Sequence, residues 1–325
     1  MIVLRGRNVN HLLIQGIKLI NEEGVETSPR GQRTLEAPEP VSSVYYLPTE
    51  RVLLHPSRDA NHFFHFFESI WILAGRYDVS YLAKFNSKIR EYSDDSETFH
   101  GAYGYRLRVA FDIDQLDEVV SLLKKEGNTR RAVLQIWDAS QDLNIDSKDI
   151  PCNDAIFLLI RNDCLYMTVC CRSNDILWGC YGANAVQFSV LQEYIAARVG
   201  VGIGTYTQIS NSYHAYIERE DWTRVQISSV SVDDPYEREE ITPYRMVISP
   251  SKFDQDLEAF MDNPDRTKYS NPFFLEVARP LWFGWKDHKK SKDGWKEVEK
   301  CQAPDWRLAC LQWLERRGDG AEVQK

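Results

Sequence analysis

The chain has 325 residues, 43% of them hydrophobic and 27% charged, with a formal net charge of −9 at pH 7. That composition belongs to a soluble globular protein with room for one large domain or two small ones. It excludes nonspecific grip on nucleic acid as the main activity, which needs an excess of Lys and Arg to neutralise phosphates. The seven cysteines, at 152, 164, 170, 171, 180, 301 and 310, are odd in number and form neither a CxxC pair nor a zinc-type spacing with His. A reduced, cytoplasmic compartment without a structural metal is expected. The amino terminus has no long apolar core and no later run approaches a membrane span, so neither secretion nor membrane insertion is expected.

Residues 8–23 place Leu12, Leu13, Ile17, Leu19 and Ile20 at helical spacing, and Gly24 stops the pattern. Ser28 to Thr34 is a basic, glycine-containing loop that suits either a solvated turn or a phosphate. From Asp59 to Gly75 the concentration of Phe, Ile and Trp predicts a buried helix with Asp59 near its start and Gly75 at its end. Glu68 lies in its middle, where a carboxylate must be paired, neutralised or turned to water. Residues 113–126 predict an amphipathic helix beginning at Ile113 and stopped by Gly127, and Arg130-Arg131 then opens a β-rich run over 132–137.

Two apolar runs, 155–160 and 165–171, meet at Arg161-Asn162-Asp163 and predict a hairpin that brings Cys152 and Arg172 to one end. By itself Cys152 reads as an inert packed thiol. A nearby arginine favours the thiolate and makes it a candidate nucleophile. Residues 185–199 predict a helix with Val186, Val190, Tyr194 and Ile195 along one side. Gly200 to Gly204 lacks the strand-to-helix setting of a dinucleotide site and reads as a tight connection. The tryptophan-rich stretch 266–325 reads as helical and packed on the rest, with a nucleic-acid surface as the lesser alternative. We divide the chain into a catalytic domain, 1–235, and a carboxy-terminal segment, 236–325.

Three segments carry a family resemblance: Ile150-Pro151-Cys152-Asn153, then Cys171-Arg172-Ser173-Asn174-Asp175-Ile176-Leu177-Trp178-Gly179, then Asn211-Ser212-Tyr213-His214-Ala215-Tyr216. Together they resemble the thymidylate synthase family, which includes the pyrimidine nucleotide hydroxymethylases, and the likeness spans residues 10–230. It implies an α/β (α+β) fold with a large twisted mixed sheet flanked by helices, used back to back in a homodimer. It also implies methylenetetrahydrofolate as co-substrate and a pyrimidine nucleoside monophosphate as substrate.

Residue by residue, the resemblance makes Cys152 the nucleophile, Glu68 the group that organises water and moves protons, and Tyr103 the active-site tyrosine. Arg172 and Ser173 hold the phosphate, Arg30 closes over it, and Arg130 and Arg131 reach the neighbouring subunit's phosphate. His214 and Tyr216 hold the sugar. Asp175 faces the pterin, with Trp178 and Gly179 beside it. Two features depart from the pattern: Arg90 stands nearest the place of a cofactor-facing tryptophan, and the usual apolar terminus is not recognisable.

The implied chemistry starts with a thiolate adding at carbon 6, which makes carbon 5 able to attack a one-carbon unit at the aldehyde level. Hydride then gives a methyl group and needs a dry site, whereas water gives a hydroxymethyl group and needs a wet one. The missing tryptophan and altered terminus favour water, and the Cys-Asn and Arg-Ser-Asn-Asp runs look closer to phage deoxycytidylate hydroxymethylases. Counted without a gap from Arg172, the base-reading position falls on Ala183, which has no polar group; a one-residue gap puts Asn184 there and favours uracil. On the ungapped frame cytosine, as CMP or dCMP, is the expected base. Reductive methylation of dUMP, hydroxymethylation of dUMP and a noncatalytic nucleotide- or RNA-binding relative are the alternatives, and the working compartment implied is the cytoplasm of a bacterial or phage-infected cell.

Overall fold

Asn8 starts the first helix by accepting from the backbone N–H groups of Asn10 and His11, two donors that the first turn leaves open. The computed structural model describes residues 1–227 and 234–320. Helix α1 (Val9–Glu23) follows strand β1 (Ile2–Gly6) and precedes β2 (Val25–Thr27), β3 (Thr34–Glu36) and β4 (Val41–Tyr45). The phenylalanine-rich stretch forms α2 (His62–Leu73), but its cap is Asn61 and not Asp59. Asn61 Oδ1 accepts from Phe64 N at 3.1 Å, while Asp59 has a left-handed φ of 47° and pairs with Arg316 and Arg317. Gly75, at φ 67°, lies just past the helix end as its position in the sequence predicts.

Short helices α3 (Val79–Leu82) and α4 (Tyr103–Arg108) lead to α5 (Gln115–Lys125), which Asp114 caps. Ile113 therefore falls outside that helix and is 52% exposed. The run expected over 132–137 forms β5 (Val133–Gln135), with Ala132, Ile136 and Trp137 also hydrogen-bonded to the backbone of Asp154 or Leu158, and is followed by α6 (Ala139–Asp142). β6 (Asn153–Arg161) and β7 (Cys164–Asp175) form the hairpin, turned at Asn162 and Asp163 with φ of 48° and 56°, the positive values such a two-residue connection requires.

Helix α7 (Asn184–Val199) differs from the one-sided stripe expected of it, since all residues from Asn184 to Ala196 are buried. It lies between β7 and β8 on one side and α2 and α5 on others, so each face meets protein. Gly200 ends it at φ 92°, and Gly202 already belongs to β8 (Gly202–Tyr216), so the glycine run is half turn and half strand. The strands join in one mixed sheet in the order β1-β4-β8-β7-β6-β5, with β3 antiparallel to the end of β8. β1 is parallel to β4 and β7 to β8, while β4/β8, β7/β6 and β6/β5 are antiparallel.

Alternation along β7 buries Leu165, Met167, Val169 and Cys171 under α7 and leaves Tyr166, Thr168 and Cys170 half-buried on the other face. On that second face Val133, Phe157, Thr168, Thr207 and Val44 form one row across five strands, with Phe157 45% and Val133 42% exposed. After α8 (Glu220–Ile227) the remaining helices are α9 (Phe253–Asp262), α10 (Arg279–Ser291), α11 (Trp295–Val298) and α12 (Pro304–Glu315). Their tryptophans turn inward. Trp285 and Trp313 stand 5.4 and 5.6 Å from Phe63, and Trp306 stands 5.0 Å from Phe66. The carboxy-terminal helices thus extend the same core through α2.

Candidate active site

Strand pairing gathers the site at one end of the sheet. β6 begins where β7 ends, with Asn153 opposite Cys171 and Arg172 N donating to Cys152 O at 2.9 Å. The parallel β7/β8 register sets Asp175 beside His214, and β3 adds Thr34 beside Tyr216. Cys152, Arg172 to Asp175, and His214 to Tyr216 therefore converge without any loop having to fold back.

Cys152 is half-buried, and its Sγ lies 4.0 Å from Arg172 Nη2. The guanidinium is pinned by Pro151 O at 2.8 Å and Ile150 O at 3.0 Å and stands over the Trp137 ring at 5.7 Å. A positive charge is thus fixed beside the sulfur before any substrate arrives. Ser173 follows on the strand, half-buried, its carbonyl accepting from Cys171 Sγ at 3.0 Å.

Glu68 is half-buried on α2 and accepts from Gln187 Nε2 at 2.5 Å; burial, with a contribution from Asp149, pushes its carboxyl up to about 7. Asp149, held by Gly101 N at 2.7 Å, is also raised by burial. Tyr103 opens α4 with its ring 6.0 Å from Phe188. Burial raises its hydroxyl well above the usual range, with Cys152 adding to the rise and Asn153 opposing it. Cys152, Asn153 and Tyr103 therefore lie close together.

Asp175 caps the turn after β7, its Oδ1 accepting from Leu177 N at 2.7 Å and Trp178 N at 3.2 Å. Burial raises this carboxyl, while His214 and Arg219 pull it back. Trp178 is 41% exposed, donates Nε1–H to Asp221, and lies 4.9 Å from the Arg58 and 4.6 Å from the Arg219 guanidinium carbon. His214 is buried with Nδ1 3.2 Å from Ser212 Oγ and its ring edge-on to Tyr216 at 5.2 Å. Tyr216 is half-buried, and burial, Asp175 and Cys152 raise its hydroxyl.

The count from Arg172 to Ala183 or Asn184 crosses the segment Ile176–Ala183. It is a wide π-type turn, broken at Gly182 with φ −112° and ψ −110°, and it accommodates one residue more than regular geometry would. Ala183 is half-buried and apolar. Asn184 begins α7, is buried, accepts from Asn153 Nδ2 at 3.3 Å and donates to Asn174 Oδ1 at 3.2 Å. Of the two candidate positions, Asn184 is the one with a polar side chain. Gly179 packs directly on this group, since a Cβ there would stand 2.5 Å from Asn174 Oδ1.

Some expected residues are not brought together within one chain. Arg130 and Arg131 are exposed, Arg131 pairing with Glu126 at 2.7 Å. The β5/β6 register puts them level with the turn end of the hairpin, seven residues along β6 from Asn153, about 23 Å at the usual strand rise. Arg90 is exposed on a 3₁₀ turn over Ser87–Tyr92. The backbone of Arg30 lies in the turn Pro29–Gly31, and its side chain is outside the described residues.

Sequence reasoning gave no role to Gln187, Asp149, Asn153, Asn174, Arg58 or Arg219. The signal for Asn174 was its place between Ser173 and Asp175; Gln187 and Arg58 carried none, being one polar residue in a helix and one arginine in a loop. Among the described residues no group of three or more His, Cys, Asp or Glu could hold a metal ion, and no helix is long and apolar enough to cross a membrane.

The family model described as thymidylate synthase matches residues 13–256. The chain belongs to the thymidylate synthase family. A relative named deoxyuridylate hydroxymethyltransferase, from Pseudomonas phage M6, is 42% identical over 340 aligned positions covering 100% of this chain and 97% of the relative. Relatives of the same name from Bacillus phage SP01 and Delftia phage PhiW-14 are 37% and 33% identical, covering 67% and 54% of this chain and 60% and 51% of theirs. As a member of this family the chain is a one-carbon transferase with methylenetetrahydrofolate as co-substrate. The site fits that molecule: both backbone bonds to Asp175 fall on Oδ1, leaving Oδ2 for an incoming donor, and the exposed Trp178 with its two guanidinium neighbours offers a flat cationic ledge to a conjugated anion.

Proposed function

We propose that the chain hydroxymethylates carbon 5 of deoxyuridylate, with water completing the reaction. The observation that carries the choice of base is Asn184, whose carboxamide offers an acceptor to the ring N–H of uracil and a donor to its carbon-4 oxygen. This revises the cytosine preference that followed from Ala183. The names of the relatives, above all the one covered over 97% of its length, support the same reading.

Cys152 adds at carbon 6 with Arg172 fixed beside its sulfur, and the resulting enolate makes carbon 5 the attacking atom. Methylenetetrahydrofolate supplies the one-carbon unit when bound, held by Asp175 and Trp178. Glu68, poised near neutrality, takes the carbon-5 proton as tetrahydrofolate leaves and orients the water that adds to the exocyclic methylene carbon, after which the carbon 6–sulfur bond breaks and returns the Cys152 thiolate. Arg90, on the exposed Ser87–Tyr92 turn where the family resemblance puts a tryptophan, supports a cleft that admits water. Arg172 and Ser173 bind the phosphate, and His214 and Tyr216 hold the sugar hydroxyl.

The phosphate site is completed by a second copy. The uncovered sheet face, with Phe157 and Val133 on it, packs back to back against its equal, and Arg130 and Arg131 reach the neighbour's nucleotide. The phage origin of the relatives supports work in the cytoplasm of an infected bacterial cell.

Exchange of the carbon-5 hydrogen tests this reading. Deoxyuridylate labelled at carbon 5 loses its label to solvent with the parent protein and not with Cys152→Ser, and labelled deoxycytidylate keeps it. Equal release with Cys152→Ser would remove the covalent step.

A further inference from the structure

Asn184 is the middle link of three side-chain amides whose hydrogen bonds run in one direction. Asn153 Nδ2 donates to Asn184 Oδ1 at 3.3 Å, Asn184 Nδ2 donates to Asn174 Oδ1 at 3.2 Å, and Asn174 Nδ2 donates to Ser210 Oγ at 2.9 Å. All four residues are buried, so each bond is made away from competing water. The core anchors the direction: the Cys180 thiol donates to Gln208 Oε1 at 3.3 Å, and the Ser210 hydroxyl engages the Cys180 sulfur. Ser210 Oγ therefore faces Asn174 as an acceptor.

A carboxamide is nearly symmetric in shape and can turn by half a rotation to exchange its donor and acceptor. Uracil presents an N–H and a carbonyl where cytosine presents a ring lone pair and an amino group, so a freely turning Asn184 would serve both. We propose that Asn174, backed by Ser210, is a positioning residue that locks the Asn184 carboxamide in the sense that reads uracil. Turning Asn184 for cytosine would put its Oδ1 against Asn174 Oδ1, breaking that bond and opposing like dipoles, whereas Asn153, whose own Oδ1 is buried without a partner, can turn with Asn184. Gly179 belongs to the same device, because a side chain there would run into the Asn174 oxygen at 2.5 Å.

The inference rests on the reading of the site as uracil-specific, and one experiment separates the two. Dissociation constants and kcat/KM for deoxyuridylate and deoxycytidylate are measured with the full chain, its Asn174→Leu and Asn174→Asp variants, and Ser210→Ala. Asn174→Leu is expected to raise the deoxycytidylate-to-deoxyuridylate ratio of kcat/KM by about tenfold or more, the scale of one discriminating hydrogen bond. Asn174→Asp keeps an acceptor for Asn184 Nδ2 and is expected to keep the parental ratio, with Ser210→Ala between the two. If Asn174→Leu does not fold, Gly179→Ala disturbs the same carboxamide and is expected to relax the ratio in the same direction. An equal loss for both nucleotides would make Asn174 a packing residue and overturn the lock. A parent protein preferring deoxycytidylate would overturn the reading of the site and the lock with it.

Discussion

At one end of the β6–β7 hairpin Arg172 is held by two carbonyl oxygens of its own chain, at 2.8 and 3.0 Å, with Cys152 Sγ 4.0 Å away. At the other end Arg130 and Arg131 stand exposed at the entry to β5, where Arg131 pairs with the exposed Glu126. The first cation is preorganised, so binding a phosphate costs little further ordering; the second pair is left to water until another surface comes to it. One chain therefore builds the chemistry of the site, and the distant arginines make sense as equipment for a neighbour.

The sharpest way to break that contrast is at the preorganised end. Cys152→Ser is expected to lower turnover by about a thousandfold or more while leaving deoxyuridylate affinity within a few-fold, measured by single-turnover kinetics and equilibrium binding. Glu68→Gln comes next, with a loss of about a hundredfold in kcat and disappearance of the inflection near pH 7 from the rate profile. Stability carries the same mark. The folded-state value of about 7 lies above the ordinary 4.5, so the protonated carboxyl's contribution is complete below pH 4.5 and is lost as pH rises through 7. The melting temperature should therefore fall less between pH 5 and pH 8 in Glu68→Gln than in the parent.

At the distant end, Arg130→Ala with Arg131→Ala should raise KM by about tenfold with little change in the Cys152 chemistry. Mixing such subunits with Cys152→Ser subunits should restore about a quarter of the parental activity, the share of intact sites in randomly re-formed dimers. No recovery would mean that these arginines do not serve a neighbour. The smallest effect belongs to Asp59→Ala, which removes the partner of Arg316 and Arg317 at 3.0 and 2.8 Å and should cost about 1 kcal/mol of stability by chemical denaturation.

Much of the site was legible because strand ends deliver it: once the hairpin is read, Cys152 and Arg172 must share an end, and the buried character of Glu68 follows from the apolar helix around it. What escaped did so for definite reasons. A count from Arg172 runs through the π-type turn before α7, and no frame read from sequence shows a turn broken at Gly182. Asp59 reads as a cap because an aspartate precedes the apolar run, yet Asn61 is closer to the first turn and Asp59 is spent on two arginines more than 250 residues away in sequence. The one-sided pattern expected of α7 fails because its polar residues, Gln187, Gln192 and Glu193, find buried partners in Glu68, the carbonyls of Leu165 and Gly204, and Arg51. Such partners arrive from distant segments, and periodicity carries no record of them.

The most direct measurement is the mass of the nucleotide product after incubation with methylenetetrahydrofolate and equal amounts of deoxyuridylate and deoxycytidylate. Deoxyuridylate is predicted to gain CH2O and deoxycytidylate to remain unchanged. A gain of CH2 on deoxyuridylate, or of CH2O on deoxycytidylate instead, would contradict the proposed reaction.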